Sequence, residues 1–373
     1  MNKKAMWAEV LIFLTFIFGF FIANLAVPDR EMSEQENKSL QQLPKFSFEA
    51  LFDKTFTKQF EDYTSDQFVL RDQWITLKAA AELALGKEEN NDVSYGEDQT
   101  LIEGFTAPEQ STLDANMGFV NALVGNTDAE VYFGIIPEKS EIWADRFPAR
   151  TPNDSEAELI EYCYGLSQAH NVDLLSPLRE HSDEYIYYRT DHHWTSLGAY
   201  YGFTAVGEAM GLDVPALESY TDRRVVSDSF YGTTWSESGF SWVKPDSMEI
   251  FVDAPEGLEI TSYPQGSPVE GKLYDESKLA VKDKYSMFMG GNCPLHEIVT
   301  GSEGTSLLII RDSYTDSLIP FLLEDFSEIH VIDLRYYRMS VADYIAQNGF
   351  DKVLVLYSAS TFATDTNLLL LSR

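Results

Sequence analysis

Asp191, His192, His193 and Trp194 are consecutive and carry the clearest chemical signal in the chain. In an extended segment, residues two apart lie on the same side, so Asp191 and His193 face together while their neighbours face the other way. A carboxylate beside an imidazole fixes the tautomer of the ring and stabilises its protonated form. The spacing therefore predicts His193 as a general base and Asp191 as the residue that orients it.

Ser313 is the predicted nucleophile of the same site. It follows the apolar run 306–310 and precedes a segment of helical character, and ligands of open α/β sheets bind outside the carboxyl ends of the strands. Free N–H groups at the start of a helix stabilise an oxyanion, which assigns Tyr314 to that role. Asp191, His193 and Ser313 together supply the three roles of serine acyl transfer.

Four other residues are candidates for this site. Asn292 closes a Gly-Gly turn and offers an amide to the oxyanion, although a plain turn is the favoured interpretation. His192 and Trp194 are predicted to contact the substrate. The alternative interpretation of Trp194 is that it is buried in the core. Lys139 follows a predicted strand and can reach the cleft, unless it is an exposed loop lysine.

Two further interpretations of these residues stay open. Adjacent histidines bind metals, and the ligands would then be Asp191, His192 and His193, yet the six histidines show no H-x-x-x-H spacing. A serine at the start of a helix also commonly serves only as an N-cap. We expect a serine site with no metal and no cofactor.

The composition limits the partners of the chain. Its 373 residues include 27 Lys+Arg and 60 Asp+Glu, a net charge of −33 that repels phosphate backbones and argues against nucleic acid as a partner. Two cysteines, Cys163 and Cys293, are too few for a disulfide scaffold or a CxxC metal site. A single bridge between them stays open.

The amino terminus has the pattern of a membrane anchor. Residues 10–27 carry no charge, and at 1.5 Å per helical residue they nearly match a hydrocarbon core of about 30 Å. Lysines precede them, so the positive-inside rule places the body of the chain outside the cytoplasm. The alternative is a cleaved signal peptide, whose apolar stretch is usually shorter. We predict an anchor over 1–28, a polar spacer over 29–45 and an α/β domain over 46–373.

Apolar periodicity predicts the elements that position the site. Strands alternate with helices, which indicates a doubly wound parallel sheet covered on both faces. Residues 219–304 lack this alternation and are predicted to form an irregular β-rich insertion over the sheet, and Pro320 is expected to kink or shorten its helix. The predicted strands are 129–136, 172–176, 306–310, 328–332 and 352–357, with a hairpin over 93–102, and the predicted helices are 48–68, 73–85, 110–124, 156–170, 195–210, 314–325 and 341–348.

The chain resembles the DHHW family, a group of bacterial membrane-anchored or secreted proteins named for the Asp-His-His-Trp tetrapeptide. Further likeness lies in Arg311-Asp-Ser313, in Phe60-Glu-Asp-Tyr-Thr-Ser-Asp-Gln-Phe68 and in Tyr95-Gly-Glu-Asp98. The family is similar in turn to the SGNH-like domains of alginate O-acetylation proteins, where an Asp-x-His-Trp motif and a later serine form a triad. The resemblance implies an SGNH-hydrolase-like fold and gives the three catalytic roles to the same residues as the spacing does.

One position departs from the wider SGNH pattern. In SGNH hydrolases at large a glycine precedes the Asp-Ser pair, and here Arg311 takes its place. The Asp-x-His pair lies upstream of the serine, as it does in the alginate-type proteins. The resemblance implies an extracytoplasmic O-acyltransferase or esterase that acts on a cell-envelope polysaccharide, with a membrane partner that exports acyl groups. The alternative is a non-catalytic protein that binds or organises envelope glycan.

Overall fold

The computed structural model describes residues 3–149 and 151–372. The described chain forms two compact units. One contains the residues up to Asn90 together with Trp235–Trp242, and the other contains Asn91–Thr234 and the residues from Val243 onward. The predicted boundaries at residues 28 and 45 stay predictions, and the terminal residues 1, 2 and 373 lie outside the described residues.

The first unit is mostly helical. Its elements are the helices α1 (Lys3–Ala26), α2 (Phe48–Phe52), α3 (Thr55–Asp66) and α4 (Arg71–Ala84) and the short strands β1 (Met32–Ser33), β2 (Lys38–Ser39) and β3 (Glu89–Asn90). The single helix predicted over 48–68 is two helices, because Lys54 adopts a left-handed conformation with φ 68° that interrupts helical bonding. Helix α1 is long and apolar enough to cross a membrane, and a signal sequence near the amino terminus has the same features.

The second unit is built on an eight-stranded sheet. The strands of this unit are β4 (Val93–Tyr95), β5 (Leu101–Glu103), β6 (Glu130–Ile136), β7 (His170–Val172), β8 (Arg224–Phe230), β9 (Asp246–Ile250), β10 (Glu259–Ser262), β11 (Val269–Glu270), β12 (Leu295–Val299), β13 (Thr305–Arg311), β14 (Phe326–Ile332) and β15 (Lys352–Ser358). The sheet order is β11-β10-β12-β14-β13-β15-β6-β7. Strands β14, β13, β15, β6 and β7 are parallel, which confirms a mixed α/β fold with a mostly parallel sheet.

Helices cover both faces of this sheet. They are α5 (Gln110–Gly125), α6 (Lys139–Ile142), α7 (Glu156–Leu166), α8 (Leu175–Glu180), α9 (Ser196–Met210), α11 (Ile319–Leu322), α12 (Val341–Asn348) and α13 (Ala359–Thr364), while α10 (Thr233–Ser238) leads from this unit into the first. Successive strand residues alternate between two cores: Leu307 and Ile309 of β13 pack with α9, and Leu308 and Ile310 pack with α5 and α12. Burial on both faces explains why these strands are apolar throughout.

Predicted elements of the second unit also differ from the observed ones. The strand predicted over 172–176 ends at Val172, and residues 175–180 are helical instead. Within residues 219–304, β8 and β9 form a two-stranded sheet of their own, whereas β10, β11 and β12 pair with one another and, through β12, with β14, so they extend the main sheet as an antiparallel edge. The helix predicted over 314–325 is a 3₁₀ turn, Ser313–Ser317, followed by α11, because Pro320 has no N–H to continue the hydrogen bonding.

Candidate active site

Ser313 begins the turn that follows β13. The carboxylate of Asp312 accepts hydrogen bonds from the N–H of Tyr314 at 3.1 Å and from the N–H of Ser358 at 2.8 Å. Asp312 therefore caps the turn and ties it to the end of the neighbouring strand β15. This fixes Ser313 at the carboxyl edge of the sheet, where open α/β folds bind their ligands.

The Asp-His-His-Trp segment lies just before helix α9. Thr195 caps this helix with its side chain, which accepts the N–H of Gly198. A side chain on Gly198 would come within 2.2 Å of the carbonyl oxygen of Ile186, and one on Gly202 within 2.6 Å of the Trp194 ring. The two glycines therefore let α9 pack closely against the segment that carries the histidines.

Three predicted residues form one chain of hydrogen bonds. The Nδ1 atom of His193 lies 2.6 Å from Oδ1 of Asp191, and its Nε2 atom lies 2.8 Å from Oγ of Ser313. Asp191 and His193 are only 2% and 5% exposed, so water competes little for these bonds. With Nδ1 donating to the carboxylate, Nε2 is free to accept the serine proton, which is the arrangement that activates a hydroxyl nucleophile.

The remaining oxygen of Asp191 is also held. Its Oδ2 atom accepts the N–H of Thr233 at 2.9 Å and the hydroxyl of the same residue at 3.3 Å. Burial alone raises the pKa of Asp191, but His192, His193 and the hydrogen bonds from His193 outweigh it and hold this pKa below its ordinary value. Asp191 is therefore a carboxylate at neutral pH, as the orienting role requires.

Tyr285 covers the imidazole of His193. The two rings are stacked with centroids 3.7 Å apart and 10° between their planes. The hydroxyl of Tyr285 donates to the carbonyl oxygen of Ser313 at 3.1 Å and to Oγ of Ser317 at 3.1 Å. Burial raises the pKa of Tyr285 well above its ordinary value, so the phenol stays neutral and donates.

Lys139 is buried beneath the site and is not the exposed loop residue considered from the sequence. Its Nζ atom donates to the carbonyl oxygens of Asp191 at 2.7 Å and Tyr188 at 3.4 Å. Burial lowers the pKa of Lys139 to about 8, with Glu103, Asp191, Asp246 and Glu138 opposing the shift. The ammonium holds the backbone of the histidine segment, and the predicted substrate contact of Lys139 stays a prediction that these bonds do not support.

Trp194 and Tyr314 have contacts that do not support their predicted roles, which stay predictions. Trp194 is wholly buried, as its alternative interpretation has it, and its Nε1–H donates to the carbonyl oxygen of Tyr314 at 2.8 Å and to Oγ of Ser317 at 3.0 Å. The backbone N–H of Tyr314 is bonded to Asp312 at 3.1 Å.

Asn292 is exposed and His192 is partly exposed, and the two lie in different surroundings. Asn292 accepts a hydrogen bond from Arg335 at 3.3 Å and lines a cavity of about 290 Å³ with Cys293 and His296, so its predicted oxyanion role has no support from its contacts. The side chain of His192 is 37% exposed, its ring lies 3.9 Å from that of His193, and its Nδ1 atom is bonded to Thr233. Of the predicted substrate contacts, His192 is the one whose side chain lies open beside the site.

Arg311 forms a buried charge cluster under the turn. It is wholly buried, and its guanidinium lies 2.7 Å from Asp316 and 3.2 Å from Asp333. Arg335 also pairs with Asp333, at 2.7 Å. Burial raises the pKa of Asp316 to about 7, and Arg311 opposes this shift. Arg311, which precedes the Asp-Ser pair, thus holds the turn in place through its buried ion pairs.

The metal interpretation competes for the same atoms. Asp191, His192 and His193 offer ligand atoms that all lie within 4.8 Å of one another. Both oxygens of Asp191 and both ring nitrogens of His193 are already engaged in the hydrogen bonds described above. A bound metal would have to break those bonds, so the arrangement favours serine chemistry.

No local pattern in the sequence marks Tyr285, Thr233 or Gly232. All three fall in the region without periodic pattern, far along the chain from the histidines. Gly232 is needed because a side chain there would come within 2.1 Å of Oδ2 of Asp191. Only the tertiary fold brings these residues to the site.

Fold and site together define an α/β protein with a Ser-His-Asp chain of hydrogen bonds at the carboxyl edge of its sheet. A family model described as DHHW protein matches residues 105–332, which is more than half of the chain. The chain therefore belongs to the DHHW family, as its sequence predicted.

One curated relative is similar to part of this chain. A probable alginate O-acetylase, AlgJ of Pseudomonas syringae pv. tomato, is 26% identical over 172 residues, which are 43% of this chain and 44% of that protein. The chain thus spans less than half the length of the curated relative it matches. The resemblance to alginate O-acetylation proteins is confirmed at this level.

Two solved structures share the fold. A DHHW family protein from Eubacterium siraeum has a TM-score of 0.66 and 24% identity, covering 76% of this chain and 95% of its own. Bacillus cereus PatB1 with a sulfonyl adduct has a TM-score of 0.62 and 18% identity. The match covers 75% of this chain and 96% of that one. At these identities the likeness establishes a common fold.

Proposed function

We propose that this protein is a serine-dependent O-acyltransferase or esterase that acts on a cell-envelope polysaccharide. The observation that carries the proposal is the buried chain of hydrogen bonds from Asp191 through His193 to Ser313. Each bond has the length of a hydrogen bond already formed, so little rearrangement is needed before attack. The SGNH-like character of the domain is part of the same proposal.

In the first half of the reaction, Oγ of Ser313 attacks the carbonyl carbon of an acyl donor, and Nε2 of His193 takes the serine proton. The tetrahedral intermediate then collapses, the leaving group takes the proton from His193, and an acyl-serine ester remains. In the second half, a sugar hydroxyl or water gives its proton to His193 and attacks this ester. The acyl group leaves on the acceptor, and the proton returns to Ser313.

The surrounding residues act on the base and on the turn. Asp191 stabilises the imidazolium that forms in both halves of the reaction. Tyr285 packs on the face of that ring, and Lys139 holds the backbone of Asp191. His192 is the predicted substrate contact, because its exposed ring lies beside that of His193.

The proposed acceptor is a glycan because the curated relative is named as an alginate O-acetylase. With α1 as a single-pass anchor, the second unit would lie outside the cytoplasm. The acyl donor must then be delivered there, which calls for a membrane partner that exports acyl groups.

The test uses the purified full chain in detergent with p-nitrophenyl acetate and phenylmethanesulfonyl fluoride. We expect ester hydrolysis and a covalent adduct on Ser313 by intact mass and peptide mapping, and neither in Ser313→Ala. Ser317→Ala is the matched control, because Ser317 lies in the same turn and accepts hydrogen bonds but is not bonded to His193. It should still form the adduct. No adduct on the wild-type chain would sink the proposal and favour a glycan-binding protein.

A further inference from the structure

Residues 43–60 of the first unit carry an exposed apolar surface that the proposed chemistry does not use. Six side chains form it, each between 41% and 83% exposed: Leu43, Phe46, Phe48, Leu51, Phe52 and Phe60. We call this set the aromatic surface. Its rings are in contact through Phe56, with centroids 5.2 Å from Phe46 and 5.8 Å from Phe60. Several exposed apolar side chains gathered in one short segment of a folded surface mark an interaction site.

The outer end of helix α1 is docked against the same unit. The ring of Phe20 stacks on Phe68 at 5.7 Å with 5° between the planes, and it also lies 5.7 Å from Trp74. The side-chain oxygen of Asn24 accepts the N–H of Val69 at 2.7 Å. Phe20 lies six residues before the end of α1, which is about 9 Å along the helix axis. When α1 crosses a bilayer, these contacts hold residues 68–74 within about 9 Å of the outer end of the membrane-spanning helix.

The aromatic surface continues from this docked segment. Helix α3 joins the two directly, since Phe60 and Tyr63 lie on α3 with ring centroids 6.0 Å apart and Phe68 follows within one loop. The aromatic surface itself, residues 43–60, holds three lysines and two acidic residues, and the rest of α3 adds Glu61, Asp62 and Asp66. Aromatic rings with interspersed lysines are typical of helices that lie in a membrane interface.

We propose that the aromatic surface lies in the headgroup region of the bilayer that α1 crosses. The helices α2 and α3 then rest on the membrane, with Phe48 and Phe52 inserted and Lys54 and Lys58 near the lipid phosphates. This surface holds the first unit in one orientation on the membrane. The inference is independent of any catalytic role for Ser313.

The test places a fluorophore at Phe52, which is 83% exposed and so can be replaced without loss of packing. The full chain carrying Phe52→Cys is labelled with bimane and reconstituted into vesicles of phosphatidylethanolamine and phosphatidylglycerol. Both native cysteines are buried, which directs the label to the new thiol. Glu88→Cys is the matched control, since it is exposed in the same unit beyond the far end of α4 from Trp74.

We expect lipids with a nitroxide near the headgroup to quench bimane at position 52 several-fold more than at position 88. Aqueous iodide should show the reverse order. Equal iodide quenching at both positions, with no effect of the nitroxide lipids, would overturn the proposal. Shielding from both quenchers, together with energy transfer between labelled copies, would also overturn it and assign the surface to a second copy of this chain.

Discussion

The ring of Tyr285 lies flat on the imidazole of His193, 3.7 Å away between centroids, while its hydroxyl bonds to the carbonyl of Ser313. One side chain therefore contacts both the proposed base and the turn that carries the proposed nucleophile. Tyr285 is thus a positioning residue that holds the proposed base against the turn that carries the proposed nucleophile.

Two substitutions separate these effects of Tyr285. Tyr285→Phe keeps the stack and loses a hydrogen bond worth about 1 kcal/mol, so we expect kcat to fall only several-fold. Tyr285→Leu removes the stack together with the hydrogen bond, so the imidazole is no longer held against the turn and kcat should fall further than in Tyr285→Phe. Stopped-flow hydrolysis of p-nitrophenyl acetate measures both variants. Equal kcat in the two variants would show that the stack does not position the base.

Gly232 gives a second test of the site, through Asp191. A side chain at position 232 would come within 2.1 Å of Oδ2 of Asp191, so Gly232→Ala must displace the carboxylate. Misplacing a catalytic group by about 1 Å costs on the order of 100-fold in rate, and we expect a loss of that size in kcat. Gly118→Ala is the matched control, because a side chain there meets nothing within 4 Å. It should keep full activity and not lose stability, since alanine favours a helix.

The sequence predicted those residues of the site that lie close together along the chain or beside a recognisable strand, and it missed those that reach the site from distant loops. Asp191 and His193 are two residues apart and Ser313 follows an apolar strand, so local spacing was enough to bring them together as candidates. Tyr285 and Thr233 reach the site through folded loops without periodicity, and no local pattern marks them. The nucleophilic role of Ser313 stays a prediction, and so do the positioning roles of Tyr285 and Thr233.

Lys139 shows a different limit of sequence reasoning. Its place at the end of a strand was predicted, but whether its ammonium faces the cleft or the loop backbone depends on packing that the sequence does not display. Apolar periodicity is a local property, so it predicted most strands and helices. It carries no information on the direction in which a single side chain such as Lys139 points. Lys54 and Pro320 show that a helix can end although its apolar pattern continues. One left-handed residue is enough in the first case, and one missing N–H in the second.

Lys139 should also make activity depend on alkaline pH. Its pKa of about 8 means that the ammonium bonded to Asp191 is lost as pH rises through 8, which weakens that bond. We expect kcat of the wild type to decline there, and Lys139→Met to be less active at all pH values and to lack this limb.

Stability should respond in the opposite direction to activity. Between pH 8 and 10.5 the unfolded chain binds the Lys139 proton more tightly than the folded one, so the free energy of unfolding gains a contribution as pH rises. Urea titrations at several pH values should find this contribution in the wild type and not in Lys139→Met. An identical pH dependence in both proteins would contradict the assignment.

Arg311 provides the last prediction, on the stability of the turn. Arg311→Met leaves Asp316 without its buried partner, while Asp333 keeps its pair with Arg335, and breaking a buried pair in this way costs about 3 to 5 kcal/mol. Because the pKa of Asp316 is already raised to about 7, its carboxyl takes up a proton below that pH once the arginine is gone. The loss of unfolding free energy should therefore be smaller at pH 6 than at pH 8.

Arg224→Met is the control for Arg311, because Arg224 pairs with Asp253 where both side chains are about half exposed. Exposed pairs contribute about 0 to 1 kcal/mol, so this variant should unfold nearly as the wild type does. Chemical denaturation of the three proteins at both pH values makes the comparison. Equal losses in the two variants would mean that Arg311 is not held as a buried ion pair, and the turn that carries Ser313 would need another anchor.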